Sequence, residues 1–273
     1  MKSNRVGLIG LGNIGMPIAL NILKADYALS VYDVRPERCA EVQAKGGRIA
    51  ASCLDLVQGS DYVISLVRDI PQTKEIVYGQ DGLWEGLVEG KMLIVMSTLL
   101  PEFIRELAGA AAAKKVTVID AAISGADVAA RDGTLTIMVG GPEEAYADTL
   151  PLFKAVGRNV FHLGPVGSGM VVKLVNNAIR TVNLYGTREG LKLAIRAGVD
   201  PKRLFDVVNV STGQSWGSDH WERDQREVES YRRDPPNSRF ANMAKDREIA
   251  LNFAREIAVD VPLLELTKTV ALE

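Results

Sequence analysis

Val6-Gly7-Leu8-Ile9-Gly10-Leu11-Gly12-Asn13-Ile14-Gly15-Met16-Pro17 decides the reading of this chain. A short apolar run, Val6–Ile9, meets glycines spaced Gly-x-Gly-x-x-Gly, and a helical pattern over Ile14–Ala25 opens beside the last of them. Strand, glycine turn and helix in that order suit a dinucleotide. Gly10 permits the tight turn, Gly12 lets a phosphate reach the backbone, and Gly15 lets helix and strand close on each other. Asn13 and Ile14 belong to the helix N-terminus, where free N–H groups and the positive dipole end face a pyrophosphate. The next apolar run, Ala28–Asp33, ends on a carboxylate 21 residues after Gly12. There it would bind an adenosine ribose 2′-hydroxyl and repel a 2′-phosphate, which favours NAD. Arg35 and Arg38 stand close enough in sequence to swing towards a phosphate, so NADP stays open. The other reading of these residues is a structural turn followed by an ordinary strand-end Asp.

Working outward, short apolar runs alternate with amphipathic segments. Strands are expected at Arg5–Gly10, Ala28–Asp33, Tyr62–Val67, Lys91–Met96, Val116–Asp120, Leu135–Val139 and Val160–His162. Helices are expected at Ile14–Ala25, Pro36–Lys45, Pro71–Tyr78, Pro101–Lys114 and Pro142–Val156. Four of these open at proline, which suits a first helical turn. The alternation predicts an α/β fold with a largely parallel, doubly wound sheet. The character changes at Leu163-Gly164-Pro165-Val166-Gly167-Ser168-Gly169, and no strand is expected beyond it. Met170–Ala197 reads as one long helix that stops at Gly198 before Pro201. Further helices are expected at Pro201–Asn209, Phe240–Ala258 and Val261–Leu272. Glu222–Arg239, which contains Pro235-Pro236, is expected to be broken or looped, a charged and solvated surface. The organisation predicted is a Rossmann-type domain over residues 1–163 and an all-helical domain over 164–273, entered through the long helix.

Composition bounds the function. Of 273 residues, 47% are hydrophobic and 24% charged, with a net charge of −2. Such a chain can bury a core, and it carries no electrostatic footprint for nucleic acid or an anionic membrane. No apolar run approaches the roughly 18 residues of a membrane span. Cys39 and Cys53 cannot build a disulfide framework, and the N-terminus lacks a clean apolar signal region, so a reduced cytoplasmic setting is expected. His162 and His220 are far apart with no nearby cysteine, and no metal site is expected.

A second segment carries chemistry: Gly167-Ser168-Gly169-Met170-Val171-Val172-Lys173-Leu174-Val175-Asn176-Asn177. Lys173 and Asn177 are spaced i and i+4 and share a helix face. Among apolar neighbours a lysine can lose part of its proton affinity, which suits acid–base work. On the residues alone, a lysine lying along a helix flank with its head in water is the commoner reading.

Here the chain resembles the β-hydroxyacid dehydrogenases, the family of 3-hydroxyisobutyrate and 6-phosphogluconate dehydrogenases. Four segments in order carry the resemblance. They are the glycine loop from Gly7 to Pro17; Asp120-Ala121-Ala122-Ile123-Ser124-Gly125-Ala126 with Gly133-Thr134-Leu135-Thr136; Gly167 to Asn177; and Lys245-Asp246. The resemblance implies that Lys173 is the catalytic acid–base residue and that Asn177 binds substrate and supports it. It implies that Ser124 and Gly125 hold a substrate carboxylate. Thr98 would lie near nicotinamide and substrate, and Lys245 would approach the cofactor from the helical domain. The active site would then lie between the domains, at the carboxyl ends of the strands.

The implied activity is reversible hydride transfer between NAD and a short β-hydroxy acid. Reduction of glyoxylate, succinic semialdehyde or tartronate semialdehyde is the alternative, and a non-catalytic dinucleotide-binding protein the third reading. A homodimer or homotetramer built through the helical domain is expected. Ala126 replaces the family's second glycine of SGG and would narrow the carboxylate pocket or alter its backbone. Ala122 stands where proline is frequent, and Leu66-Val67-Arg68-Asp69 replaces the usual loop over the cofactor. The chain ends at Glu273, early for the family, so a final helix is expected to be missing or shortened. Trp216 reads either as a cover for the substrate's apolar flank or as a core or interface residue.

Overall fold

The computed structural model describes residues 5–233 and 239–270. The chain separates into two compact units, Met1–Lys173 and Leu174–Glu273.

The first unit is built on one eight-stranded sheet: β1 (Arg5–Ile9), β2 (Ala28–Tyr32), β3 (Arg48–Ile49), β4 (Tyr62–Ser65), β5 (Met92–Val95), β6 (Thr117–Ser124), β7 (Leu135–Gly140) and β8 (Gly157–His162). Their spatial order is β3-β2-β1-β4-β5-β6-β7-β8. Every neighbouring pair is parallel except β6 and β7. The order reverses direction at β1, which is where doubly wound sheets open a binding crevice.

Side-chain alternation explains why helices cover both faces. Leu8, Ile64, Ile94 and Ile119 enter one core, whereas Ile9, Val63, Leu93 and Val118 enter the other. On the first face lie α1 (Gly15–Lys24), through Ile18 and Ile22, and α2 (Ala40–Ala44), through Val42. On the second face α3 (Cys53–Gln58), α4 (Ile70–Tyr78), α5 (Leu83–Gly86) and α6 (Pro101–Ala112) pack Leu56, Ile76, Leu83 and Ile104. Then α7 (Ala126–Arg131) joins β6 to β7, and α8 (Glu143–Val156) returns to the first face through Leu152 and Phe153. Truncating a fully buried residue such as Ile94 or Phe153 to alanine would cost about 2–5 kcal/mol.

The division between the units falls within α9 (Ser168–Arg196), after Lys173. The second unit continues with α10 (Pro201–Val208), α11 (Trp216–Asp219), α12 (Trp221–Arg233), α13 (Arg239–Glu256) and α14 (Pro262–Leu266). Among its described residues there is no strand. Leu184, Tyr185, Val228, Phe240 and Met243 form one core, and Leu174, Ala250, Leu251 and Leu264 another.

Several elements differ from expectation. The strand expected over Val116–Asp120 runs on to Ser124. The helix expected over Pro36–Lys45 begins as a 3-10 turn, Pro36–Cys39. Strand β3 and helices α3, α5, α7 and α11 are two to six residues long, too short to display a period. Much of the segment expected to be broken at Glu222–Arg239 is helix α12, anchored by the buried Val228. Pro235-Pro236 lies outside the described residues. The last helix is shorter than expected, and the side-chain hydroxyls of Thr267 and Thr269 donate to the carbonyls of Leu264 and Leu266. Such local side-chain bonds compete with the regular helical ladder.

Candidate functional site

The glycine turn has the geometry that its spacing predicts. Gly10 sits at φ +97°, and a Cβ there would lie 2.5 Å from the Leu66 carbonyl oxygen. A Cβ on Gly15 would strike the Gly10 carbonyl, whereas one on Gly12 would meet no protein atom within 4 Å. The loop is therefore closed on the protein side and open at Gly12. Asn13 is exposed and Ile14 half-buried beside the opening turn of α1.

Asp33 follows β2 and is buried. Its Oδ2 accepts the Leu11 N–H at 2.7 Å, and its Oδ1 accepts the Arg35 N–H at 2.9 Å. The Arg38 guanidinium stands 3.8 Å from Oδ2. The residue expected to meet a ribose thus also pins the glycine loop to the end of β2. A carboxylate offers about four lone-pair sites, so acceptor capacity remains. Leu66 to Asp69, the segment that departs from the family pattern, packs its Leu66 carbonyl beneath Gly10 and caps α4 through Asp69.

Further candidates lie at the carboxyl edge of the sheet. Beyond β5 come Ser97, buried, and Thr98, half-buried. The hydroxyls of Ser97 and of Ser65, at the end of β4, are buried without a hydrogen-bond partner. These orphaned hydroxyls and the opening at Gly12 fit a dinucleotide laid across the strand ends.

Strand β6 delivers Ser124, half-buried, and Gly125, exposed at φ +127°. Ala126 follows at φ +59°, a left-handed backbone that costs an L-residue about 1–2 kcal/mol. The chain holds the conformation of a second glycine there while carrying a methyl group.

Lys173 lies on α9 and is only 9% exposed. Ahead of it, Asp120 of β6 is wholly buried. Its Oδ1 accepts the Gly167 N–H at 2.6 Å, and its Oδ2 accepts the Met170 N–H at 2.7 Å. Burial pushes the Asp120 carboxyl above its ordinary range, and these backbone donors pull it back in part.

In the second unit, Asn177 donates from Nδ2 to Asp246 Oδ2 at 2.9 Å, and Lys245 pairs with Asp246 Oδ1 at 3.2 Å. Asp246 therefore joins two of the predicted residues. With its N–H₂ engaged, Asn177 presents Oδ1 as an acceptor, which Asn176 Nδ2 approaches at 3.3 Å. Trp216 is partly exposed, stacks on His220 with centroids 4.3 Å apart, and lies beneath the Arg180 guanidinium at 4.8 Å. Burial lowers the proton affinity of Arg180, and Asp224 opposes that shift.

Sequence reasoning thus missed Asp120 and Asp246 as organising residues, and Arg180 altogether. Asp120 opens one of the segments that resemble the family, and the further signal was an acid inside the otherwise apolar run Val118–Ile123. Among the described residues, no group of three or more His, Cys, Asp and Glu stands close enough to hold a metal.

The sequence profile of the NAD binding domain of 6-phosphogluconate dehydrogenase matches residues 5–164. That of the NAD-binding region of NADP-dependent 3-hydroxyisobutyrate dehydrogenase matches residues 167–272. The chain belongs to the β-hydroxyacid dehydrogenase family. Within this family it is 39% identical to mitochondrial 3-hydroxyisobutyrate dehydrogenase of Rattus norvegicus over 214 residues, 78% of this chain and 64% of that protein. It is 38% identical to NAD-dependent L-serine dehydrogenase of Pseudomonas aeruginosa over 212 residues, 78% of this chain and 71% of that protein. The crystal structure of 3-hydroxyisobutyrate dehydrogenase from Salmonella typhimurium superposes with a TM-score of 0.82 at 28% identity, covering 97% of this chain and 91% of that one. The chain thus spans just under two thirds of the length of the mammalian β-hydroxyacid dehydrogenase it matches.

Proposed function

We propose that this protein is an NAD-dependent oxidoreductase acting on a short β-hydroxy acid and the corresponding semialdehyde. The observation that carries the reading is Lys173. It is buried on the first turns of α9, in the same unit as the glycine loop and the Ser124–Gly125 strand end. The two relatives named above act, by their names, on 3-hydroxyisobutyrate and L-serine, both short acids with a β-hydroxyl.

Gly10, Gly12, Asn13, Ile14, Gly15 and Asp33 hold the dinucleotide, with Thr98 and Lys245 as further contacts. The nicotinamide, when bound, supplies the hydride acceptor or donor. Ser124 and the Gly125 N–H hold the substrate carboxylate and so fix the distance to its hydroxyl carbon. In oxidation the Lys173 amine takes the hydroxyl proton, and in reduction its ammonium returns it. Asn177, oriented by Asp246, offers its carbonyl oxygen to the hydroxyl or to the ammonium. Asp33 makes NAD the preferred cofactor.

Exposed apolar residues across the second unit, among them Leu193, Val207, Val210 and Leu263, support a homo-oligomer, dimer or tetramer. Light scattering at micromolar concentration should return a multiple of 29.6 kDa, and a monomer mass would count against it. The free, buried Cys39 and Cys53 support a reduced, cytoplasmic setting. Among the described residues no helix is long and apolar enough to cross a membrane.

The deciding experiment is a panel of short hydroxy acids and semialdehydes, including glyoxylate, assayed with NAD and NADP by absorbance of the reduced cofactor. β-Hydroxy acids should turn over, and Lys173→Ala should lower kcat about 10²–10⁴-fold while NADH binding persists. Turnover by Lys173→Ala at the wild-type rate would remove the lysine from the mechanism.

A further inference from the structure

The first N–H groups of a helix have no partner within it. A Ser, Thr or Asp at the helix boundary usually supplies one from next door in sequence. Helix α9 is held differently. Asp120, 47 and 50 residues upstream, accepts the Gly167 and Met170 N–H groups on its two oxygens at 2.6 and 2.7 Å. The Gly169 amide adds to the same carboxylate. Asp120 lies in the middle of the sheet, its β6 residue paired with Val95 of β5 and Gly140 of β7.

No slack surrounds it. A Cβ on Gly169 would lie 2.8 Å from Asp120 Oδ2 and overlap the Met138 carbonyl, and one on Gly140 would overlap Asp120 Oδ1. A wholly buried carboxylate is costly to keep charged, and a cap at the helix boundary would satisfy the same N–H groups at less cost. What the strand carboxylate adds is a fixed height and rotation of the first turn of α9 relative to β6. Four and five residues further along the chain, Ser124 and Gly125 stand at the end of that strand. Three residues after Met170, about 4.5 Å along the axis, stands Lys173.

We propose that Asp120 is the positioning residue for Lys173. By clamping the first turn of α9 to β6, it sets the separation between the lysine amine and a substrate whose carboxylate is held at Ser124 and Gly125. The inference rests on the proposed reading that Lys173 handles the substrate proton. A misplacement of about 1 Å can cost about 10²-fold in rate.

The test is a double-mutant cycle in the full chain with NAD and the best substrate of the panel. Asp120→Asn should lower kcat about 10- to 100-fold and change the NADH dissociation constant less than about threefold. In a Lys173→Ala background the same substitution should change the residual kcat less than about threefold, because the group it positions is gone. A wild-type kcat for Asp120→Asn would overturn the inference, as would additive losses in the cycle. Amide hydrogen exchange on the wild-type protein decides the matter if Asp120→Asn does not fold. The Gly167 and Met170 amides should be strongly protected although they begin a helix, and free exchange there would overturn the clamp. Lys173→Ala at full kcat would sink the proposed mechanism itself. A damaged Lys173→Ala beside additive losses would sink this inference alone.

Discussion

Two glycines three residues apart are predicted to fail in different ways when each becomes alanine. At Gly12 an added Cβ meets no protein atom within 4 Å, and the residue is not held at positive φ. Gly12→Ala should therefore leave folding stability within about 0.5 kcal/mol of wild type. The methyl group would stand where a phosphate approaches the backbone. A hydrogen bond to a charged group contributes about 1.5–3 kcal/mol, so losing one should weaken dinucleotide binding about 10- to 150-fold. At Gly15 the Cβ would strike the Gly10 carbonyl, so helix α1 and strand β1 must separate before any ligand arrives. Overpacking of this kind costs about 1–3 kcal/mol, or a melting point lower by about 2–10 °C in a protein of this size. Gly15→Ala should lose stability as well as affinity. Thermal melts without cofactor and fluorescence titrations with NADH separate the two quantities. If Gly12→Ala bound NADH within about threefold of wild type, the open side of the loop would not be the phosphate side. If it melted below Gly15→Ala, the packing argument would fail.

Three further outcomes follow from single residues. Wild-type kcat/KM should favour NAD over NADP at least about tenfold, about 1.4 kcal/mol, and Asp33→Ser should narrow that ratio; equal values in the wild type would show that Arg35 or Arg38 governs the choice. Ala126→Gly should raise stability by about 1 kcal/mol, because it removes a Cβ from a left-handed backbone at φ +59°; a lower melting temperature would contradict this. Burial pushes the Cys53 thiol up to about 12, so at pH 8 it stays protonated and should resist iodoacetamide in the native protein while reacting once denatured; mass spectrometry showing rapid native labelling at Cys53 would refute it.

Legibility in the sequence followed the range over which each cause acts. The glycine turn, the strand-end Asp33 and the proline-opened helices are set by neighbours a few residues away, and their positions were readable. The long helix was readable because its apolar period runs through several turns. Helix α12 was not, since Pro235-Pro236 and a dense run of charges outweighed one buried valine, Val228. Strand β3, two residues long, exists because Arg48 and Ile49 pair with Ser30 and Val31, and nothing local announces that. The roles of Asp120 and Asp246 were beyond reach for the same reason. Their partners lie 47 to 69 residues away, so only the fold brings donor and acceptor together.

Those two acids and Asp33 share a physical logic. Asp33 holds the Leu11 and Arg35 amides, Asp120 the Gly167 and Met170 amides, and Asp246 the side-chain amide of Asn177. In each case a carboxylate accepts N–H donors and fixes a group that the proposed chemistry needs in one orientation. The glycine loop must face a pyrophosphate, the first turn of α9 must present Lys173, and Asn177 must keep its oxygen outward. A neutral amide of the same shape cannot replace Asp33 or Asp120. A carboxylate can accept on both oxygens, whereas asparagine presents one oxygen and two donor hydrogens. At both positions the two oxygens are already engaged by separate backbone N–H groups, so asparagine would set a donor against a donor. At Asp246 the second oxygen faces the Lys245 ammonium instead, and asparagine would again turn a donor towards a donor. An isosteric Asp→Asn change at these three positions should therefore disturb function out of proportion to the single atom exchanged, because each removes an acceptor and inserts a repulsion where rigidity matters.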